Sequence, residues 1–333
     1  MRPLVLSLII ALAVSLFPPM TLAADQVVLY SGRSKSLVDP IIKQFQRETS
    51  IKVVVKYGNT AQLALILQEE GDRSPADIFW AQDAGALGAV NELGMFQKLP
   101  ASITGEIPAH FMNASKTWIG TSGRARVLAY SPDRVKKSEL PKSVFDLADA
   151  KWKGRVGWAP TNGSFRAFVT AMLNEHGREK TKAWLSGMKK NGTMAYPKNT
   201  PIIQALAAGE IDLGIPNHYY LLKFKASDAN YPVEQTFFEA GDIGNLVFVS
   251  GVGVLKTSKS RVPAMEFVQY LLGPKAQQYF TSQIFEYPIT DNVIPNSRLV
   301  PVEKLNTLVP EANLEDLADL QKTLALLTEV GLN

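Results

Sequence analysis

From residue 26 onward, short apolar runs alternate with longer stretches in which apolar residues recur every three or four positions. Residues 26–30 have the make-up of a buried strand, stopped by Ser31, Gly32, Arg33 and Ser34. Leu37, Ile41, Ile42 and Phe45 then recur at helical spacing up to Ser50, and residues 51–57 return to strand. This is a βαβ unit, and its first turn lies at the carboxyl end of a strand and the amino end of a helix. A helix over 60–70 follows, then a Gly-Asp-Arg-Ser-Pro turn into a strand over 76–81 that ends at Gln82 and Asp83, and a helix over 84–93. Residues 118–120 and 126–130 read as strand, and a second alternation begins beyond them. Its strand over 155–158 ends in Pro160, Thr161, Asn162, Gly163 and Ser164, and helices are predicted over 165–175, 180–190 and 202–208. The apolar positions Ile211, Leu213 and Ile215 then run into Pro216 and the tetrad Asn217, His218, Tyr219, Tyr220, predicted to be an extended strand end.

Residues 1–23 change this picture at one end only. Arg2, an apolar stretch over 4–17 and the small-residue site Thr21, Leu22, Ala23 make a cleavable secretory signal peptide, which predicts a periplasmic protein beginning at Ala24. About 310 residues then remain, enough for two domains with cores of their own. An apolar content of 46% with 20% charged residues is that of a globular chain. The net charge of +4 is scattered, with no basic block of the kind that marks a nucleic-acid surface. The chain has no cysteine, so it has neither disulfides nor thiolate metal ligands, and its stability comes from packing alone.

Two turns carry candidate chemistry. Free amides at the start of the first helix favour an anion, and Arg33 adds a planar fork suited to carbonate, phosphate or a carboxylate; a surface arginine beside a capping serine would read the same way. Phenols ordinarily lose their protons near pH 10, but a small trivalent cation displaces them, so the adjacent Tyr219 and Tyr220 suit a hard metal such as ferric iron. They equally suit packing, with the rings buried and the hydroxyls turned to water.

The order of Tyr30-Ser31-Gly32-Arg33, Ser74-Pro75-Ala76-Asp77-Ile78-Phe79, Trp152-Lys153-Gly154-Arg155, Pro160-Thr161-Asn162-Gly163-Ser164, Gly209-Glu210-Ile211-Asp212 and Asn217-His218-Tyr219-Tyr220 resembles the periplasmic ferric-ion-binding proteins of iron ABC importers. The likeness extends through Glu286-Tyr287-Pro288 and covers nearly all of the mature chain. It implies an α/β fold of the two-lobed periplasmic-binding-protein type, type II-like, with residues 24–126 and 250–300 in the first lobe, 127–249 and 301–333 in the second, and hinge crossings near 126–128 and 247–251. It implies that Tyr219 and Tyr220 bind Fe3+ as cargo. It places a synergistic anion, carbonate or phosphate, on Arg33 from one lobe and Asn162, Gly163, Ser164, Asn199 and Asn217 from the other.

The chain departs from the family pattern where many relatives complete the metal shell. Ser34 and Gln82 stand where those relatives have histidine and glutamate, and Phe165 stands where others have a third tyrosine. An anion is then the most economical completion. Asp83 is expected to cap a helix or ligate, Gln82 to hold a metal-bound water, and His218 to point away from Tyr219 in extended chain. The expected role is capture and delivery to an inner-membrane ABC permease by a monomer, with no catalysis and no nucleic acid. A metal-free binding protein for an oxyanion or small organic anion is the alternative. An exported hydrolase has little support, since the chain has three histidines and no Gly-x-Ser-x-Gly elbow.

Overall fold

A computed structural model describes residues 26–108, 111–310, 317 and 320–332. The signal peptide expected over residues 1–23 lies outside the described residues. Two five-stranded sheets organise the rest. The first has the order β2-β1-β3-β10-β4, from β1 (Gln26–Ser31), β2 (Lys52–Tyr57), β3 (Ile78–Ala81), β4 (Trp118–Ala125) and β10 (Val247–Val254). Here β1 is parallel to β2 and β3, while β10 runs antiparallel to both β3 and β4. The second has the order β7-β6-β8-β5-β9, from β5 (Leu128–Tyr130), β6 (Val156–Trp158), β7 (Met194–Ala195), β8 (Leu213–Gly214) and β9 (Glu234–Thr236).

The two alternations expected from the sequence are therefore two sheets. The chain leaves the first sheet after Ala125 and enters the second at Leu128, then returns to the first at Val247, so β10 lies wholly in the first sheet. Helices α1 (Lys35–Thr49), α2 (Thr60–Glu70) and α3 (Ala84–Glu92) and the short α4 (Ala101–Thr104) belong with the first sheet. In α1, Val38, Ile41, Ile42 and Phe45 form the buried stripe that a 3.6-residue period requires. Helices α5 (Gly163–Lys190), α6 (Asn199–Ala208) and α7 (His218–Ser227) follow strands of the second sheet, and α8 (Arg261–Leu272) and α9 (Pro274–Tyr279) return to the first. Phe267 of α8 meets Phe45 and Trp80 edge-on inside that core. After α10 (Val302–Asn306), the last helix, α11 (Leu320–Val330), packs on α5, with the hydroxyls of Thr170 and Thr323 2.7 Å apart in the buried seam.

Two expectations change in structural detail. The helices predicted over 165–175 and 180–190 are one helical run, α5, broken only at Gly177, whose φ of 77° is left-handed and favours glycine. The tetrad around Tyr219 is not extended: Asn217 is the N-cap and His218, Tyr219 and Tyr220 form the first turn of α7. A two-residue strand, Leu213–Gly214, is too short to carry extended chain past Pro216.

Within the first sheet the backbones of β10 and β4 approach closely. A β-bulge lies at Ser250 and Gly251, and a methyl group added at Gly251 would come 2.8 Å from the Ile119 carbonyl oxygen and 2.7 Å from Leu87 Cδ1. Replacing Gly251 with Ala is expected to lower unfolding free energy by about 1–3 kcal/mol. Urea denaturation of the two proteins measures it, and equal midpoints would show that the bulge has room to relax.

Candidate functional site at the facing strand ends

A cavity of about 340 Å³ lies where the carboxyl ends of strands from both sheets face each other. Its wall is built from turns: Gly32 and Ser34 after β1, Asn59 and Thr60 after β2, Gln82 and Asp83 after β3, Asn162 and Gly163 after β6, Lys198 after β7, and Tyr220 after β8. Each turn opens a helix, so several positive helix ends converge on one space. Three of these helices are capped by their own side chains. Asn59 accepts from the Ala61 and Gln62 amides, Asp83 from Ala86 at 3.0 Å, and Asn162 from Ser164 at 3.0 Å. The other three, α1, α6 and α7, have no side-chain cap hydrogen bond at Ser34, Lys198 or Asn217. Their first amides are left for a ligand or for water.

Beneath the cavity lies a buried charge cluster. Arg33, 1% exposed, donates from Nη2 to Glu286 Oε1 at 2.7 Å, and the hydroxyl of Ser122 donates to the other Glu286 oxygen. Arg124, on β4 and fully buried, donates from Nη2 to the Gln82 carbonyl. Nε and Nη1 of both arginines are buried and have no partner. A third guanidinium, Arg126, donates to the carbonyls of Ile215 at 2.6 Å and Ser164 at 2.8 Å and lies 4.7 Å from the centre of the Phe168 ring. Burial, with Arg124 adding to it, pulls the Arg126 pKa down to about 9. Burial pushes the Glu286 carboxyl up, but Arg33 and then Arg124 outweigh it and hold its pKa below the ordinary range.

The two tyrosines meet this cluster. Tyr219 is 1% exposed and its ring stacks on that of Tyr220, with centroids 4.1 Å apart and planes at 30°. Its hydroxyl oxygen is buried and has no hydrogen-bond partner. Burial and then Tyr220 raise its pKa well above 10, against the pull of Arg124 and Arg33. A phenol left unpaired beside two guanidinium groups is costly unless something else fills the gap. Tyr220 is half-buried in the cavity wall. Lys223, one turn on, lies 5.7 Å from the centre of the Tyr219 ring, and burial lowers its pKa.

The remaining expected residues divide by what they do. Ser34, Gln82, Asp83, Asn162 and Gly163 line the cavity, and a Cβ at Gly163 would be 3.8 Å from Asp83 Oδ2 across it. Asp83 is the cap of α3, and burial raises its carboxyl pKa against the Ala86 hydrogen bond and the Arg124 charge. Asn217 is fully buried with neither amide atom paired, and Asn199 Nδ2 is likewise without a partner. Ser164 spends its hydroxyl on Asn162 Oδ1 at 2.8 Å. Phe165 is core, edge-on to Trp158. His218 accepts from the Ala125 amide at Nδ1 (3.0 Å) and donates from Nε2 to the Phe285 carbonyl (2.7 Å), so both ring nitrogens are taken. Its ring lies edge-on to that of Tyr219, with centroids 5.9 Å apart, and its nitrogens pin the first turn of α7 to β4 and so are not free for a ligand.

Sequence reasoning missed Arg124, Glu286, Ser122 and Lys223. Arg124 and Arg126 carry a usable signal. They occur two apart next to an apolar strand, which puts two charges on one face of a segment whose residues are buried throughout.

Two sheets of strands joined by paired crossings, with helix amino ends facing a shared cavity, define a two-lobed α/β solute-binding protein. Residues 73–314 match the family model described as bacterial extracellular solute-binding protein, and the chain belongs to that family. It is 33% identical over 314 residues, 93% of this chain and 92% of the other, to the Fe(3+)-binding periplasmic protein of Serratia marcescens. Among solved structures it is similar to iron-bound HitA from Pseudomonas aeruginosa, at a TM-score of 0.88 and 33% identity over 92% of this chain and 99% of that one. The Trichodesmium protein solved with iron and citrate ligands gives a TM-score of 0.78 and 29% identity, covering 92% and 100%.

Burial lowers the pKa of His218 to about 4 against the hydrogen bonds with Phe285 and Ala125, while an unfolded histidine titrates near 6.5. The unfolded chain therefore binds the extra proton first, and stability present above pH 6.5 is lost as pH falls towards 4, by about 3 kcal/mol in all. The Glu286 contribution has the same sign and is lost at lower pH, because its folded pKa lies below the ordinary range. Urea titrations of metal-free protein at several pH values should show this slope, and His218→Gln should flatten it between pH 6.5 and 4. An unchanged slope in the variant would assign the acid sensitivity elsewhere.

Proposed function

We propose that the protein captures ferric iron in the periplasm and delivers it to an ABC permease, as a monomer, with no bond made or broken in the chain. The observation that carries this reading is the buried, unpartnered hydroxyl of Tyr219, stacked against Tyr220 and set among Arg33 and Arg124. With its pKa raised well above 10, that phenol does not ionise for a weak partner, and a trivalent cation is the kind of ligand that displaces its proton. The names of the Serratia and Pseudomonas relatives support the choice of metal.

Charge balance supports an accompanying anion. Arg33, Arg124 and Arg126 outnumber Glu286 in the buried cluster, so a bound oxyanion would offset a positive surplus already built in. Ferric iron with two phenolates keeps one positive charge and open coordination positions. Carbonate or phosphate would occupy them, received by the free nitrogens of Arg33, by the unpaired amides of Asn199 and Asn217, and by the turn of Asn162, Gly163 and Ser164. Arg124 joins this set, and Ser34, Gln82 and Asp83 close the opposite wall. We place residues 24–126 and 250–300 in one lobe and 127–249 and 301–333 in the other, with one modification read from strand pairing: the second crossing ends at Val247, so 247–249 go with the first lobe. The contact of α11 with α5 supports the second-lobe placement of the C-terminal helix. Hinge closure over the loaded cavity would present the form that the permease reads. The signal peptide expected over 1–23 would direct export.

A metal-free anion would use the same guanidinium nitrogens, and those unpaired donors are the specific observation in favour of that second reading. The phenols separate the two. Protein loaded with ferric iron is expected to show the visible phenolate-to-iron charge-transfer band and one iron per chain by elemental analysis. Changing both Tyr219 and Tyr220 to Phe should abolish the band and weaken iron binding by more than about 100-fold, beyond the cost of losing an outer partner of a metal ligand. A double variant that keeps the band refutes the assignment, and an uncoloured wild-type protein that binds phosphate tightly supports the metal-free reading.

A further inference from the structure

Lys223 stands one turn beyond the tyrosines on α7, and neither the metal nor the anion reading gives it a task. Residues four apart share a helix face, and a long side chain reaches back over the turn before its own Cα. The Lys223 ammonium accordingly lies over the face of the Tyr219 ring, 5.7 Å from its centre. That ring stacks on Tyr220, which lines the cavity, whereas Lys223 does not. A charge so placed reaches a metal through the phenol, without touching the cargo. Two other lysines show how such a charge is ordinarily neutralised. Lys225 pairs with Glu234, and Lys56, 4.6 Å from the centre of the Tyr30 ring, has the Glu70 carboxylate 3.8 Å away. Lys223 is half-buried and forms no ion pair among the described residues. The carboxylate that acts on it is Glu286, opposed by Arg33, and both Glu286 oxygens are already taken by Arg33 and Ser122. A cation over a phenolate holds electron density on the ring and its oxygen, which makes the phenolate a weaker donor, and it also repels a trivalent ion directly.

We propose that Lys223 is a positioning residue whose charge acts through Tyr219 to weaken the hold on ferric iron, so that a tightly enclosed cargo is still given up. This rests on the iron reading above and concerns how firmly iron is held. The apolar stem of the lysine packs on the tyrosine ring, and its charge biases the phenolate towards release.

Two substitutions separate the charge from the stem. Lys223→Met keeps the stem and removes the charge, and Lys223→Arg keeps both. Wild-type and variant proteins are loaded with ferric iron in bicarbonate. The wavelength of the phenolate-to-iron band, the reduction potential of the bound iron and the rate at which EDTA removes it are then measured. For Lys223→Met the expected result is a band at longer wavelength, a lower potential and iron loss slowed about tenfold, the scale on which outer partners of metal ligands act. Lys223→Arg should stay close to wild type in all three. An unchanged band and potential in Lys223→Met, or iron lost faster, overturns the proposal and leaves the iron reading standing. So does a Lys223→Arg protein displaced as far as Lys223→Met, which would make the role one of packing. No band in the wild-type protein removes the iron reading and this inference with it.

Discussion

The site depends on one buried ion pair, Arg33 with Glu286. Its partners are 253 positions apart in the chain and neither is more than 1% exposed. Burying two charges costs several kcal/mol each, and their attraction repays this only when hydrogen bonds satisfy the remaining atoms. Glu286 meets that condition, since Ser122 takes its second oxygen. Arg33 does not, since two of its nitrogens are unpaired. A pair balanced on the acidic side and open on the basic side is poor as a staple and good as a socket. It fixes a guanidinium under the cavity with donors to spare.

The rest of the site follows from that fixed charge. Arg124 repeats the pattern, with one nitrogen on the Gln82 carbonyl and two free. Gln82 thereby spends its main-chain oxygen on the cluster, and Asp83, next to it, spends one carboxylate oxygen on α3. Tyr219 is held where both arginines act on its oxygen, but burial dominates, so the phenol stays protonated until a stronger cation arrives. His218 sets where that oxygen lies. By bonding Ala125 on one side and Phe285 on the other, it ties the first turn of α7 to the end of β4 and to the residue before Glu286.

Much of this was legible in the sequence, and the part that was not has a common cause. The alternation of strands and helices and the turns that open helices follow from periodicity and punctuation, because those signals are local, whereas the two-lobed class was implied by the family resemblance. The conformation of the tyrosine tetrad was misjudged because Ile211, Leu213 and Ile215 look like strand, and only the paired register of β8 shows how soon that strand ends. Arg124 and Glu286 went unread as site residues because their role exists only after distant segments meet. No spacing rule connects Glu286 to Arg33. The cue that was available, two arginines at alternate positions beside an apolar strand, puts two charges on one face without saying what they meet.

Two consequences of this arrangement bear on how loading and release would be linked. The cluster carries more positive than negative charge while both phenols hold their protons, so the empty site favours whatever brings negative charge. A metal alone would add to the positive charge already present, and an anion alone would leave the Tyr219 hydroxyl unpaired. Each therefore makes room for the other: the anion lowers the cost of bringing in a trivalent ion, and the ion gives the phenol oxygen its missing partner while expelling its proton. Under the proposed reading, binding of the two would be cooperative by linkage and would release protons. Neither histidine nor glutamate stands at Ser34 and Gln82 to add a ligand to the metal shell, so under the proposed iron reading those two departures from the family pattern would make binding depend on an anion.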